Sequence, residues 1–258
     1  STLSPQIQDF SKRVSMSMRS ADVSMTISAF AATAPVVIER SQAVSANPRI
    51  SVRNVSGKVE IIAWDRNEVS IVAEKRARKP EVAAKAEIVI ETSADRIDIE
   101  TRFEKSWIWG DKVEVDYLIK APAGARLDVK VVNAGVITQG ITRPANVEAV
   151  NGNLDLAGLT AGGRFKTVNG SIDATFSAVA ARDDITIETV NGNVDLSLPA
   201  DATFSLTART INGGMRCAFP LDKSKNSRTE VVGTVGSGGA AVTLKSVNGN
   251  FQVRKHTP

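Results

Sequence analysis

Val150-Asn151-Gly152-Asn153-Leu154-Asp155-Leu156 is the stretch against which the rest of the chain is read, because close copies of it recur through the C-terminal half. The copies are Val132-Asn133-Ala134-Gly135-Val136-Ile137, Val168-Asn169-Gly170-Ser171-Ile172-Asp173-Ala174, Val190-Asn191-Gly192-Asn193-Val194-Asp195-Leu196, Ile211-Asn212-Gly213-Gly214-Met215-Arg216-Cys217 and Val247-Asn248-Gly249-Asn250-Phe251-Gln252-Val253. Asn133, Asn151, Asn169, Asn191, Asn212 and Asn248 stand in register at separations of 18, 18, 22, 21 and 36 residues, and Val231-Val232-Gly233 reads as a degenerate copy splitting the last gap. A period of about twenty residues marks a repeat architecture. After each turn the apolar residues alternate, as in Leu154/Leu156, Val194/Leu196/Leu198 and Phe251/Val253, with Asp155, Asp195 and Gln252 facing the other way. That is strand periodicity.

Two folds use such a unit. Asn-Gly is the preferred two-residue hairpin turn, since both residues tolerate positive φ. A hairpin about Asn191-Gly192 would set Ile187 opposite Leu196 and Ile185 opposite Leu198, a sensible apolar face. A marker every 18 to 22 residues also suits one coil of a solenoid built from short strands. In that fold the Asn-Gly units line up at one corner and their amides bond along the stack, with coils ~4.8 Å apart. The reading favoured is an all-β fold, a single-chain β-solenoid of Asn-Gly repeats over residues 132–258, preceded by a longer-stranded β region at 35–131 and an extended arm at 1–34.

Composition narrows the function. The 258 residues carry 5% aromatics and one cysteine, so no internal disulfide forms; Cys217, in an alternating strand beside Met215, reads as a buried thiol. A net charge of +4, with both signs interspersed along most strands, does not announce nucleic acid. No run is long enough to span a bilayer. The chain opens on Ser1, which points to processing or trimming, and Lys12-Arg13 ahead of Val23 to Phe30 faintly resembles a signal sequence broken by serines and threonines.

In the arm, Val14, Met16, Met18, Val23, Met25 and Ile27 alternate with Ser and Thr. Such strands either cap the domain's own edge or pair with another protein, and adaptable methionines suit the second role, which makes Met16, Met18 and Met25 candidate contacts. Ala34-Pro35 reads as a hinge. Strands are expected at 36–39, 49–55, 58–64, 68–75, 87–91, 96–101, 112–120 and 126–131, with a helical turn near Glu81 to Lys85 and a basic run at Lys75 to Lys79 that a solvated strand end explains. Asn54-Val55-Ser56-Gly57 echoes the later turn. In Lys105-Ser106-Trp107-Ile108-Trp109-Gly110-Asp111, Trp107 and Trp109 fall on one side of an extended segment, as anchors for a partner or as a flap over an open sheet end.

Catalytic chemistry is thin. His256 is the only histidine and sits in the C-terminal tail, which removes a Ser-His-Asp or Cys-His site and leaves zinc without ligands. Asp155, Asp173 and Asp195 recur at one repeat position, so stacking makes a carboxylate ladder that reads as a solvated face; calcium binding is the alternative. Asp183-Asp184 is the remaining acidic pair. Gly233 to Gly239 resembles a phosphate loop only superficially, lacking Gly-Lys-Ser/Thr, and reads as a connection between coils.

Taken in order, Asn54-Val55-Ser56-Gly57 with Trp64-Asp65, Tyr117 to Gly124, the Val-Asn-Gly-x-φ-Asp units and Gly236-Ser237-Gly238-Gly239 before Val247-Asn248-Gly249 resemble the bacterial adhesin-labelled DUF4097 family, over roughly residues 36–253. The resemblance implies a β-solenoid-like fold and an extracytoplasmic location, and it supplies no catalytic residues and no cofactor. The arm before Pro35 falls outside it. The expectation is a non-enzymatic envelope module, adhesin-like or an accessory subunit of a membrane-associated complex, with a protein partner, no nucleic acid, and glycan or self-association open. The alternative is a carbohydrate-active β-helix enzyme working through Asp183-Asp184.

Overall fold

The computed structural model describes residues 35–103 and 112–256. In chain order these form β1 (Val36–Ala43), β2 (Arg49–Trp64), β3 (Glu68–Ala77), the short helix α1 (Pro80–Ala84), β4 (Ala86–Thr92), β5 (Arg96–Phe103), β6 (Val113–Pro122), β7 (Arg126–Gln139), β8 (Ala145–Asn151), β9 (Leu154–Leu159), β10 (Gly163–Asn169), β11 (Ile172–Phe176), β12 (Asp184–Asn191), β13 (Val194–Pro199), β14 (Phe204–Asn212), β15 (Met215–Cys217), β16 (Leu221–Asn226), β17 (Glu230–Val235), β18 (Ala240–Asn248) and β19 (Phe251–His256).

Each Asn-Gly unit separates two strands that belong to different sheets. β8, β10, β12, β18 and β14 pair in parallel in that order, and β9, β11, β13, β19 and β15 do the same on the other side of the corner. The repeats are therefore coils of a two-sheet solenoid. Ile187 pairs in register with Phe165 and Leu244, and Leu196 with Ala174 and Val253, so the hairpin partners Ile187 and Leu196 lie in separate sheets. Alternation points one file from each strand inward: Val52, Val129, Val147, Phe165, Ile187 and Leu244 from the first sheet, Val59, Val136, Leu154, Ile172, Val194 and Phe251 from the second, all buried. Aliphatics make up most of both files, and Phe165 and Phe251 are their aromatic members. Phe165 has room because residue 163 is glycine, where a Cβ would come within 2.9 Å of its ring.

The N-terminal strands continue the same stack. β2 runs through both sheets: its first half pairs with β5 and β7, its second with β6 and β7. β7 likewise passes from one sheet to the other, so the boundary expected between residues 131 and 132 falls inside β7, and one buried cluster extends from Val44 to Val253. The echo at Asn54 to Gly57 occupies the corner at its own level, with Ser56 beside Asn133 and Gly57 beside Ala134. Gly57 has φ +118°, a conformation an L side chain resists, and its Cβ would meet the Val115 carbonyl oxygen at 2.3 Å.

The coil order departs from the chain order at the C-terminal side. β18–β19 inserts between β12–β13 and β14–β15. Val231-Val232-Gly233 is no repeat: it lies in β17, which pairs antiparallel with β14 and with β16. The 36-residue gap between Asn212 and Asn248 is thus an excursion through β16 and β17 that covers the edge of the first sheet. Gly236, Gly238 and Gly239, all at positive φ, turn the chain from β17 into β18 rather than cradling a phosphate. At the opposite limit antiparallel strands close the stack, β4 on β5 in the first sheet, β3 and β1 beyond β6 in the second. Antiparallel additions of this kind end a parallel sheet without leaving its full edge open.

Candidate interaction surface

Side chains at three positions of the repeat make the corner. The asparagines form a continuous ladder in which Nδ2 of Asn151 donates to Oδ1 of Asn133 at 2.8 Å, Asn169 to Asn151 at 2.8 Å, Asn191 to Asn169 at 2.8 Å, Asn248 to Asn191 at 2.7 Å and Asn212 to Asn248 at 2.9 Å. An amide carries both donor and acceptor, so identical side chains stacked in parallel satisfy one another. Two residues on, the side chains accept from the backbone of the next coil: Ser171 N–H donates to Asn153 Oδ1 (2.9 Å), Asn250 N–H to Asn193 Oδ1 (3.0 Å) and Gly214 N–H to Asn250 Oδ1 (2.9 Å). Two residues before Asn169, Asn191 and Asn212, a buried threonine hydroxyl donates to the glycine carbonyl of the neighbouring coil, Thr167 to Gly152 (2.9 Å), Thr189 to Gly170 (3.1 Å) and Thr210 to Gly249 (3.1 Å). The threonine file was missed from sequence, although Thr-x-Asn-Gly recurs at 167, 189 and 210.

The glycines are there for space and not for φ. None of Gly152, Gly170, Gly192, Gly213 and Gly249 has positive φ, and a Cβ on any of them would lie 1.8–2.1 Å from a backbone oxygen of the adjacent coil. Backbone cannot yield as a flexible side chain can, so these positions admit glycine alone while the coils keep this spacing.

Outside the corner, the first sheet presents two parallel files. Val55, Val132, Val150, Val168, Val190, Val247 and Ile211 precede the turn position at successive levels; Val132, Val150 and Ile211 are 40%, 41% and 65% exposed. Beside them runs Glu100, Arg53, Lys130, Glu148, Lys166, Glu188, Lys245, Arg209 and Glu230, each in register with the next. Ion pairs join Lys130 to Glu148 (3.7 Å), Lys245 to Glu188 (3.1 Å) and Arg209 to Glu230 (2.8 Å). Burial alone would raise the Glu188 carboxyl, but Lys245, Arg164 and Lys166 outweigh it and hold the group below the ordinary glutamate value. Between the two files, Arg53, Lys130, Lys166, Val132, Val150 and Val168 line a groove of about 500 Å³. Under it Asn54 donates to the Val115 carbonyl (2.8 Å) and accepts from Thr101 (3.0 Å), whose hydroxyl lies 2.7 Å from the Tyr117 phenol. Burial pushes Tyr117 up to about 12 against the opposing Thr101 bond, so this network is neutral.

The outer face of the second sheet carries Asp155, Asp173 and Asp195 in register. Asp155 is raised by burial and by Asp173, with Lys58 opposing; Asp195 is raised by burial and by Asp173, with Arg254 opposing. Among the described residues no group of three or more His, Cys, Asp or Glu is placed to hold a metal ion. Asp183 accepts from Ala180 N–H at 2.7 Å in the turn before β12, a structural role. Cys217 is half-buried and its thiol raised by burial, with the Phe219 backbone and then Lys223 and Lys255 opposing. Lys75 donates to the Ala86 carbonyl at 2.9 Å. Met16, Met18, Met25, Trp107 and Trp109 lie outside the described residues.

A family model described as Toastrack DUF4097 matches residues 11–254, and so takes in most of the arm that the sequence resemblance left out. The crystal structure of a "putative cell adhesion protein" from Clostridium sporogenes is similar at 12% identity, over 86% of this chain and 100% of that one, with a TM-score of 0.46. A "putative adhesin" from Bacteroides fragilis is similar at 12% identity, over 84% of this chain and 97% of that one, with a TM-score of 0.37. No protein with a curated description matches the chain.

Proposed function

The chain belongs to the Toastrack DUF4097 family, and on that premise we propose that it is a non-enzymatic interaction module of the bacterial envelope, adhesin-like or an accessory subunit docked on a larger membrane-associated complex. The observation that carries this reading is the repeated outer surface of the first sheet: the aliphatic file and the charged file run side by side over successive coils. A stacked repeat offers an extended contact face to a large partner, and exposed aliphatics rimmed by charge are what such contacts use. The arm, with Met16, Met18 and Met25, and the segment bearing Trp107 and Trp109 supply further contacts in this proposal, at an extracytoplasmic location. No helix among the described residues is long and apolar enough to cross a membrane.

The test is recovery of partners from native envelopes by the full-length protein, by a form beginning at Pro35, and by full-length Val132→Ser/Val150→Ser, with mass spectrometry as readout. Loss of the same partners by either altered form locates the contact on the arm or on the sheet. Equal recovery by all three defeats docking through these surfaces. A glycan turned over by the wild type but not by Asp183→Asn/Asp184→Asn would replace the module by a carbohydrate-active enzyme.

A further inference from the structure

The asparagine ladder has two ends, and they differ chemically. At one end stands Asn133, followed by Ala134; at the other stands Asn212, followed by Gly213. Asparagine followed by glycine is the pair most prone to cyclise, because no Cβ hinders the approach of the next backbone nitrogen to the side-chain carbonyl carbon. This chain holds five such pairs, at Asn151, Asn169, Asn191, Asn212 and Asn248.

We propose that Asn212 is a site of spontaneous deamidation, and that the ladder shields the other four Asn-Gly corners from the same reaction. In each shielded corner both ends of the amide are engaged, Nδ2 donating to one neighbour and Oδ1 accepting from the other. The attacking nitrogen is engaged too: Gly152 N–H donates to the Asn169 carbonyl (3.0 Å), Gly170 to Asn191 (3.0 Å), Gly192 to Asn248 (3.0 Å) and Gly249 to Asn212 (3.1 Å). Cyclisation must rotate the side chain and free that N–H, so it requires these bonds to break together. Asn212 keeps one of these three bonds and lacks the other two. Its Nδ2 donates to Asn248, but among the described residues no group donates to its Oδ1 and Gly213 N–H has no acceptor. β17 accompanies β14 in register only as far as Arg209, and β15 beyond the corner is three residues long, so this corner opens at the least cost.

The reaction balances with water alone. Hydroxide takes the Gly213 amide proton, the nitrogen attacks Cγ of Asn212, and the side-chain nitrogen leaves with added protons as ammonia, closing a succinimide. Water then opens the ring at one of its two carbonyls, giving aspartate or isoaspartate. Either product removes the donor to Asn248 Oδ1, and isoaspartate also inserts a backbone methylene that breaks the Asn212–Asn248 register. Gly249 N–H then loses the Asn212 carbonyl, and Asn248-Gly249 becomes the new end. Conversion therefore proceeds inward, Asn212 before Asn248.

Full-length protein is held at mildly alkaline pH, native and in urea, and followed by peptide mapping. The tryptic peptide Thr210–Arg216 reports Asn212. In the native protein Asn212 should convert at least about tenfold faster than Asn151, Asn169 or Asn191, the spread that different local opening costs produce, and in urea the five rates should converge. Asn212 converting no faster than Asn169 in the native protein, or staying intact there while it converts in urea, would overturn the proposal. Asn212→Asp should speed conversion of Asn248 several-fold; an unchanged Asn248 rate would overturn the inward order.

Discussion

Two files of identical side chains run along the stack, the asparagines at the corner and the aspartates on the outer face of the second sheet, and parallel register places both at the same spacing. Their consequences are opposite. Each Asn amide between the two ends gives one hydrogen bond to one neighbour and takes one from the other, so a longer file is better satisfied. Each carboxylate has acceptors only, so Asp155, Asp173 and Asp195 repel along the stack and need Lys58 and Arg254 at the flanks. Stacking identical groups stabilises only where the group complements itself.

The largest effect should come from filling the corner. Gly170→Ala places a Cβ 2.1 Å from the Gly152 oxygen, which only separation of the coils relieves, and should cost about 3 kcal/mol in urea unfolding. A loss under about 1 kcal/mol would mean that the coils slide apart freely. Next, Asn169→Ala removes two amide bonds at once and should cost about 1–2 kcal/mol; a neutral result would reduce the ladder to decoration. Thr189→Val, which keeps the shape and drops the bond to the Gly170 carbonyl, should cost about 1 kcal/mol.

The smallest and opposite effect belongs to the acidic file. Asp173→Asn removes the like charge between Asp155 and Asp195 and should raise stability by about 0.5 kcal/mol at neutral pH and low salt. The sign follows from linkage. Asp155 and Asp195 have folded values above their unfolded ones, so the native state binds protons more readily. Their penalty is present at neutral pH and is relieved as pH falls through the raised folded values. The gain from Asp173→Asn should therefore shrink on acidification, as thermal melts across that range would read; a gain constant with pH would assign the benefit to packing.

Much of this was legible from residues alone. Alternation at Leu154/Leu156 and Val194/Leu196 requires strands with one buried face, and the register of six asparagines requires a repeat. The aspartate file followed from the same register. The threonine file did not, because a hydroxyl two residues before a turn has no meaning until the carbonyl of another coil is placed above it. Glycine was legible as a residue and not as a reason: Asn-Gly in isolation speaks of positive φ, whereas Gly152 and Gly170 are required by a neighbouring oxygen.

By itself, the sequence determined the strand class, the period, and which residues stand at the corner, since each depends on patterns spanning a few residues. Only the tertiary structure decided the order of the coils. Val247-Asn248-Gly249 and Ile211-Asn212-Gly213 present nearly equivalent corners, so either could have stacked on Asn191; pairing of β16 and β17 with the edge of β14 leaves the inner place to β18–β19. Repeats that resemble one another are interchangeable as neighbours. Their order is set by long-range edge pairing, which no local pattern records.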